Sequence, residues 1–159
     1  MKSLLLKKIY CDCCYEELKA FKPGNHSIFS RIPEMDDTKF KYVAMVSSNY
    51  LTDKSLSLGE AIHGAVKTCQ TKVNSNYNLG IVMLCAPILK VLEKKFDNFR
   101  ASLMNLLNNV SNNDKKLILN SIQIAKPAGL KNYKGKGNIF ETNSLSLLEI
   151  MKIGSTHDR

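Results

Sequence analysis

The longest uncharged apolar run in the chain, Leu79 to Leu89, contains both Gly80 and Pro87, and that excludes two of the structures such a run could serve. It is far shorter than the roughly 20 residues a membrane-spanning helix needs. Proline lacks the N–H that a central strand must donate, so an interior strand is excluded as well. The Leu, Met and Ala content suits a buried helix instead, kinked near Pro87. At the N-terminus, Leu4 to Leu6 lie between Lys2 and Lys7. This is too short an apolar region for a signal peptide and no small-residue cleavage site follows, so a cytoplasmic protein without a membrane partner is expected.

The rest of the chain repeats helical spacing between breakers. Leu5, Ile9, Cys13 and Leu18 recur at helical intervals until Lys22-Pro23-Gly24-Asn25 stops the pattern. Asp36 or Asp37 can cap a second helix, with Phe40, Val43, Ala44 and Ser47 on one face and an end near Tyr50. Ser57 and Glu60 form a capping box, in which hydroxyl and carboxylate each satisfy an unpaired backbone N–H. Ala61, Ile62, Ala65, Val66 and Cys69 follow it. Asp97 or Asn98 can open a helix through Phe99, Leu103, Leu106, Leu107 and Val110. Ser111 with Asp114 can open another through Leu117, Ile118, Ile122 and Ile124, which must stop at Lys126-Pro127. A glycine- and lysine-rich loop then leads to a last helix, Ser144 to Ile153. No segment alternates with period two and none repeats. The expected fold is therefore all-α, a single multi-helix orthogonal bundle with ligand-binding loops between helices, as one domain over residues 1–159.

Composition narrows the partners. With 44% hydrophobic residues a chain of 159 can bury a core, which excludes wholesale disorder. Lys and Arg total 23 against 14 Asp and Glu, a net charge of +9 that invites a phosphate-rich ligand. Only Arg31, Arg100 and Arg159 are arginines, and the 20 lysines come with 15 asparagines, so charge by itself points there only weakly. The five cysteines, Cys11, Cys13, Cys14, Cys69 and Cys85, form no disulfide framework and are expected as free, buried thiols. Cys11, Cys13 and Cys14 cannot share one helix face, and no Cys or His pair lies at zinc-finger spacing. The lysines between Lys115 and Lys136 come without an aromatic platform or reading helix, the pattern of a solvated face rather than a nucleic-acid surface.

Chemistry is concentrated in three polar loops: Lys22-Pro23-Gly24-Asn25-His26-Ser27, Asn74-Ser75-Asn76-Tyr77-Asn78-Leu79-Gly80, and Lys126-Pro127-Ala128-Gly129-Leu130. Each on its own reads as helix caps and tight turns. Together they repeat one set of parts. Glycine admits a ligand close to the backbone, lysine offers a point charge to phosphate, and asparagine both donates and accepts. The middle loop runs into a helix, whose N-terminal N–H groups attract anions. No Walker-type loop or dinucleotide fingerprint is present.

In their order along the chain these motifs resemble the triphosphoribosyl-dephospho-coenzyme A synthase family, which makes the prosthetic-group precursor for the acyl carrier subunits of citrate lyase and malonate decarboxylase. The resemblance runs from about Cys14 onward. It rests on Lys22-Pro23-Gly24-Asn25, on Met35 with Phe40 and Ser47-Ser48, on Asn76 to Val82 leading to Ala86-Pro87, and on Ala125 to Leu130. Leu147-Leu148-Glu149 with Met151 and Asp158-Arg159 extend it.

The resemblance implies a glycosyl transfer that joins the ribose of ATP to the 2′-hydroxyl of 3′-dephospho-coenzyme A and expels adenine. ATP is then a substrate and Mg2+ its companion ion. On this reading Lys22 and Lys126 lie near phosphates, Gly24, Gly80 and Gly129 allow close approach, and Asn25, Asn76 and Asn78 bond ribose or phosphate oxygens. Glu34 and Asp36 are the candidate catalytic carboxylates and metal ligands, with Asp37 beside them; Asp36 and Asp37 serve equally well as an acidic helix start. His26, where the family carries an apolar residue, reads as a loop histidine without a catalytic role. Two His-Asp pairs of the family fall here at Ser30-Arg31 and Gly137-Asn138, which removes two carboxylates. The family also continues past the equivalent of Arg159, so a C-terminally shortened form is expected. Two other readings stay open: a noncatalytic helical relative that keeps a nucleotide or coenzyme A pocket, and a basic nucleic-acid-binding helical protein. A homo-oligomer, in which a second subunit completes the pocket, is compatible with each.

Overall fold

The first helix, α1 (Lys2–Lys19), buries Leu6, Tyr10, Cys14 and Leu18, a stripe at i, i+4 spacing. The computed structural model describes residues 2–21, 26–33, 35–127, 133–141 and 144–157, and within them the secondary structure is helical throughout. The buried stripe lies one residue beyond the one the spacing suggests: only Leu18 is shared, whereas Leu5 and Ile9 are exposed apolar residues and Cys13 is exposed. Both stripes have helical period, and the one carrying Tyr10 wins because its hydroxyl finds Ser47 Oγ at 3.0 Å inside the core.

Helix α2 (Asp37–Leu51) is capped by Asp36, whose carboxylate accepts from the Thr38 N–H. Ser57 and Glu60 close both halves of the expected capping box on α3 (Leu58–Val73). Helix α4 (Leu79–Leu92) carries Pro87 internally, as its sequence requires. Asn98 caps α5 (Phe99–Asn108), which buries no residue fully, and Ser111 caps α6 (Asn112–Ala125). The last helix, α7 (Leu147–His157), begins three residues later than Ser144. Ser146 and Glu149 fix its start reciprocally: the Ser146 N–H donates to Glu149 at 2.7 Å and the Glu149 N–H to Ser146 Oγ at 3.3 Å.

Side chains from α1, α2, α3, α4, α6 and α7 meet in one cluster that includes Leu6, Tyr10, Leu51, Ile62, Val82, Ile118 and Ile150. Burial pushes the thiol of Cys14 up to about 12 and that of Cys69 up to about 11, so both stay protonated and inert at neutral pH. All five cysteines are free, but only Cys14 and Cys69 are buried; the expectation of uniformly buried thiols fails at the exposed Cys13.

Interhelical bonds set the directions. Ser3 donates to the Thr52 carbonyl at 2.9 Å and Cys11 to the Ala44 carbonyl at 3.7 Å, so α1 and α2 are antiparallel. Cys69 donates to the Val43 carbonyl at 3.8 Å and Thr68 to the Tyr50 hydroxyl at 2.9 Å, so α2 and α3 are antiparallel as well. Gly59 donates to Asp114 at 2.9 Å while Ser121 lies 3.4 Å from His63, so α3 and α6 run in the same direction. Lys90, near the end of α4, donates to the Asp53 carbonyl just past the end of α2. One end of the bundle therefore gathers the C-termini of α1, α3 and α6 with the N-termini of α2 and α4. No helix of the described residues is long and apolar enough to cross a membrane.

Candidate functional site

All three polar loops leave or enter helices at that one end. A small second cluster supports them: Val43, Cys69 and Tyr77 are buried, with Met35, Phe40, Val46 and Val73 packed around them. Phe40 stacks on the His26 ring at a centroid distance of 5.5 Å and meets the Tyr77 ring edge-on at 5.1 Å. This pile of rings ties His26 of the first loop to the start of α2 and to the middle loop.

His26 is 3% exposed and both ring nitrogens are engaged. The Ile32 N–H donates to Nδ1 at 3.1 Å, which leaves the ring proton on Nε2 to donate to Asp37 Oδ1 at 2.7 Å. A ring used up in this way anchors the loop. What the sequence does not reveal is its burial, because a histidine after Lys-Pro-Gly-Asn carries every mark of a surface turn.

The other expected site residues divide into two sets. Lys22, Gly24, Asn25, Glu34 and Gly129 lie outside the described residues. Of those described, Asp36 spends Oδ1 on the N–H and the hydroxyl of Thr38, and these bonds hold its carboxyl below the usual carboxylate range. Asn76 uses its oxygen on the Leu79 N–H at 3.1 Å, capping α4 from three residues upstream. Asn78 is buried and turns its amide inward to the Cys69 sulfur at 3.6 Å, so it braces the loop. Gly80 stands open: a Cβ built on it meets nothing within 4 Å. Lys126, exposed, ends α6 in the left-handed conformation with φ of 49°.

The electrostatics of this end are mixed. The C-termini of α1, α3 and α6 contribute partial negative charge and the N-termini of α2 and α4 partial positive charge. Asp36 and Asp37 offset it at α2, but the first turn of α4 carries no acidic residue and Asn78 makes no side-chain cap there. Beyond the Leu79 N–H, the first-turn N–H groups of α4 have no intrahelical acceptor and Gly80 exposes them. That is an anion-binding arrangement. Among the described residues no group of three His, Cys, Asp or Glu side chains is placed to hold a metal ion. A magnesium ion needs fewer protein ligands, since it takes one or two carboxylates and completes its octahedron with water and substrate phosphates. Asp36 fits that lesser requirement.

No curated protein and no solved structure matches the chain. A family model described as CitG: ATP:dephospho-CoA triphosphoribosyl transferase matches residues 4–159. With the all-helical bundle and its convergent loops, this match shows that the chain belongs to the ATP:dephospho-CoA triphosphoribosyl transferase family.

Proposed function

We propose that the protein transfers the triphosphoribosyl group of ATP to the 2′-hydroxyl of 3′-dephospho-coenzyme A and releases adenine. Family membership implies triphosphoribosyl-dephospho-coenzyme A synthase activity, and one observation supports its location: the loops that carry the family's motifs leave or enter helices at a single end of the bundle. In the reaction the acceptor 2′-oxygen bonds to C1′ of the ATP ribose as the bond from C1′ to N9 of adenine breaks. The hydroxyl proton passes to a base, adenine leaves with a proton, and the triphosphate stays on the 5′-carbon. The positive charge that develops at C1′ is stabilised by nearby carboxylates.

For these steps the N–H groups at the start of α4, opened by Gly80, meet the phosphates together with Lys126 and Lys22. Gly24 and Gly129 give the same access in the other two loops, and Asn25 bonds sugar or phosphate oxygens. Asn76, whose oxygen is taken by the cap, offers its amide N–H groups to the same atoms, whereas Asn78 acts by holding the loop. Glu34 and Asp36 supply the carboxylates. Asp36, kept ionised by its cap bonds, faces the developing positive charge as an anion. Magnesium, carried in by the triphosphate and held by Glu34 and Asp36, would screen phosphate charge when bound.

The location has its own test. On titration of isotopically labelled protein with ATP, the backbone amide resonances of Tyr77, Gly80 and Lys126 are expected to shift, and those of Lys94 and Lys95, near the opposite end, to stay in place. Shifts confined to Lys94 and Lys95 would move the nucleotide away from the convergent loops and overturn the assignment.

A further inference from the structure

The Arg31 side chain is 73% exposed, yet its backbone neighbours are fixed on both sides. The Ser27 N–H donates to the Ser30 carbonyl at 2.9 Å, and the Ser30 N–H returns a bond to Ser27 Oγ at 3.1 Å. Ser27 itself is fully buried. On the other side the Ile32 N–H is bound to Nδ1 of the buried His26. The backbone that carries Arg31 is thus held on both sides.

We propose that Arg31 is a phosphate-binding residue of this site, aimed by His26 and Asp37. The inference rests on the reading of the loop end as a nucleotide site. His26, with its side chain 1% exposed, holds Asp37 Oδ1 at 2.7 Å, which orients the other oxygen, Oδ2, toward Arg31 Nη2 at 3.7 Å. That separation exceeds a hydrogen bond, so the guanidinium is attracted and oriented while its donors stay available. An exposed ion pair of this kind adds little stability, so the Asp37 contact serves to orient the guanidinium rather than to hold the fold. The planar fork of arginine matches two oxygens of one phosphate, and the N-terminus of α4 at the same end, free of acidic residues in its first turn, favours the same anion. Asp37 takes the role of a positioning residue, acting through Arg31 on the ligand.

Either substrate could supply the phosphate, ATP through its triphosphate or 3′-dephospho-coenzyme A through its diphosphate, and calorimetric titration of the full chain separates them. Arg31→Ala is expected to weaken binding of one of the two by about tenfold or more and to leave adenosine binding unchanged. The ligand affected identifies the source. Arg31→Lys, which keeps the charge and loses the fork, should recover only part of the loss, and Asp37→Asn should weaken the same ligand to a smaller degree. Lys95→Ala, an equal change of charge near the other end, should have no effect. The inference is overturned if Arg31→Ala binds both nucleotides as the native chain does, if Lys95→Ala costs as much, or if adenosine weakens in parallel. A native chain that binds neither nucleotide would instead remove the nucleotide-site reading itself.

Discussion

Replacing Gly59 by alanine is expected to destabilise the protein by about 3–5 kcal/mol, a large share of the roughly 5–15 kcal/mol that holds a domain together. A Cβ at this position would lie 2.5 Å from the Asp114 Cα, 2.6 Å from its Oδ1 and 2.8 Å from its carbonyl oxygen. Two of these three atoms are backbone, so no rotamer change relieves the overlap and α3 must move away from α6. The movement also strains the bonds that the Gly59 N–H and the Ser57 hydroxyl donate to the Asp114 carboxylate. Charge-assisted bonds of this kind are the stronger ones, and their acceptor would be left partly unsatisfied. Gly80→Ala is the matched control, because its Cβ enters open space and a helical alanine outranks glycine by about 0.5–1 kcal/mol. Urea unfolding of both variants decides the matter. A Gly59→Ala midpoint as high as that of Gly80→Ala would show that α3 and α6 do not depend on this contact.

The second large effect is expected at Lys90, where methionine should cost about 3–5 kcal/mol, the range for removing one partner of a buried ion pair. The Lys90 and Glu93 side chains are only 9% and 5% exposed and lie 3.3 Å apart. Lys90 Nζ also donates to the Asp53 carbonyl at 2.6 Å, tying α4 to the end of α2. Glu93 Oε1 already has no hydrogen-bond partner, so loss of the lysine strands the whole carboxylate. The double change Lys90→Met with Glu93→Gln removes the stranded charge and should recover most of the loss. Equal stability of the single and double variants would contradict this assignment.

Local signals were legible wherever one side chain settles one backbone position. Ser57 with Glu60, Asn98 and Ser111 cap the helices their sequence suggests, and Pro87 sits inside a helix rather than a strand. The last helix starts later than Ser144, because Ser144 and Ser146 both offer a hydroxyl and only Ser146 has Glu149 three residues on. The face of α1 was displaced by one residue, since Leu5, Ile9 and Cys13 show the same period as Leu6, Tyr10 and Cys14. Only the presence of Ser47 on a neighbouring helix separates the two.

The site was legible as parts and not as an assembly. The Lys-Pro-Gly-Asn, Asn-Tyr-Asn-Leu-Gly and Lys-Pro-Ala-Gly loops stand out in sequence, but their meeting depends on the relative directions of α1, α2, α3, α4 and α6. Those directions come from long-range contacts such as Asp114 with Gly59, and the sequence presents Asp114 only as a partner of Ser111 in opening α6. Asp36 illustrates the converse: a carboxylate that suits both catalysis and a helix start is seen in the structure as the cap of α2. The aim that Asp37 gives to Arg31 could not be read from spacing, because it passes through a histidine buried by Phe40.

The most direct measurement incubates the protein with ATP, magnesium and 3′-dephospho-coenzyme A and follows adenine by chromatography and the coenzyme by mass. The account predicts one adenine released for each dephospho-coenzyme A that gains a triphosphoribosyl group, with no adenine when the acceptor is omitted. Binding of both nucleotides without adenine release, or ATP consumed to ADP or AMP in its place, would contradict it.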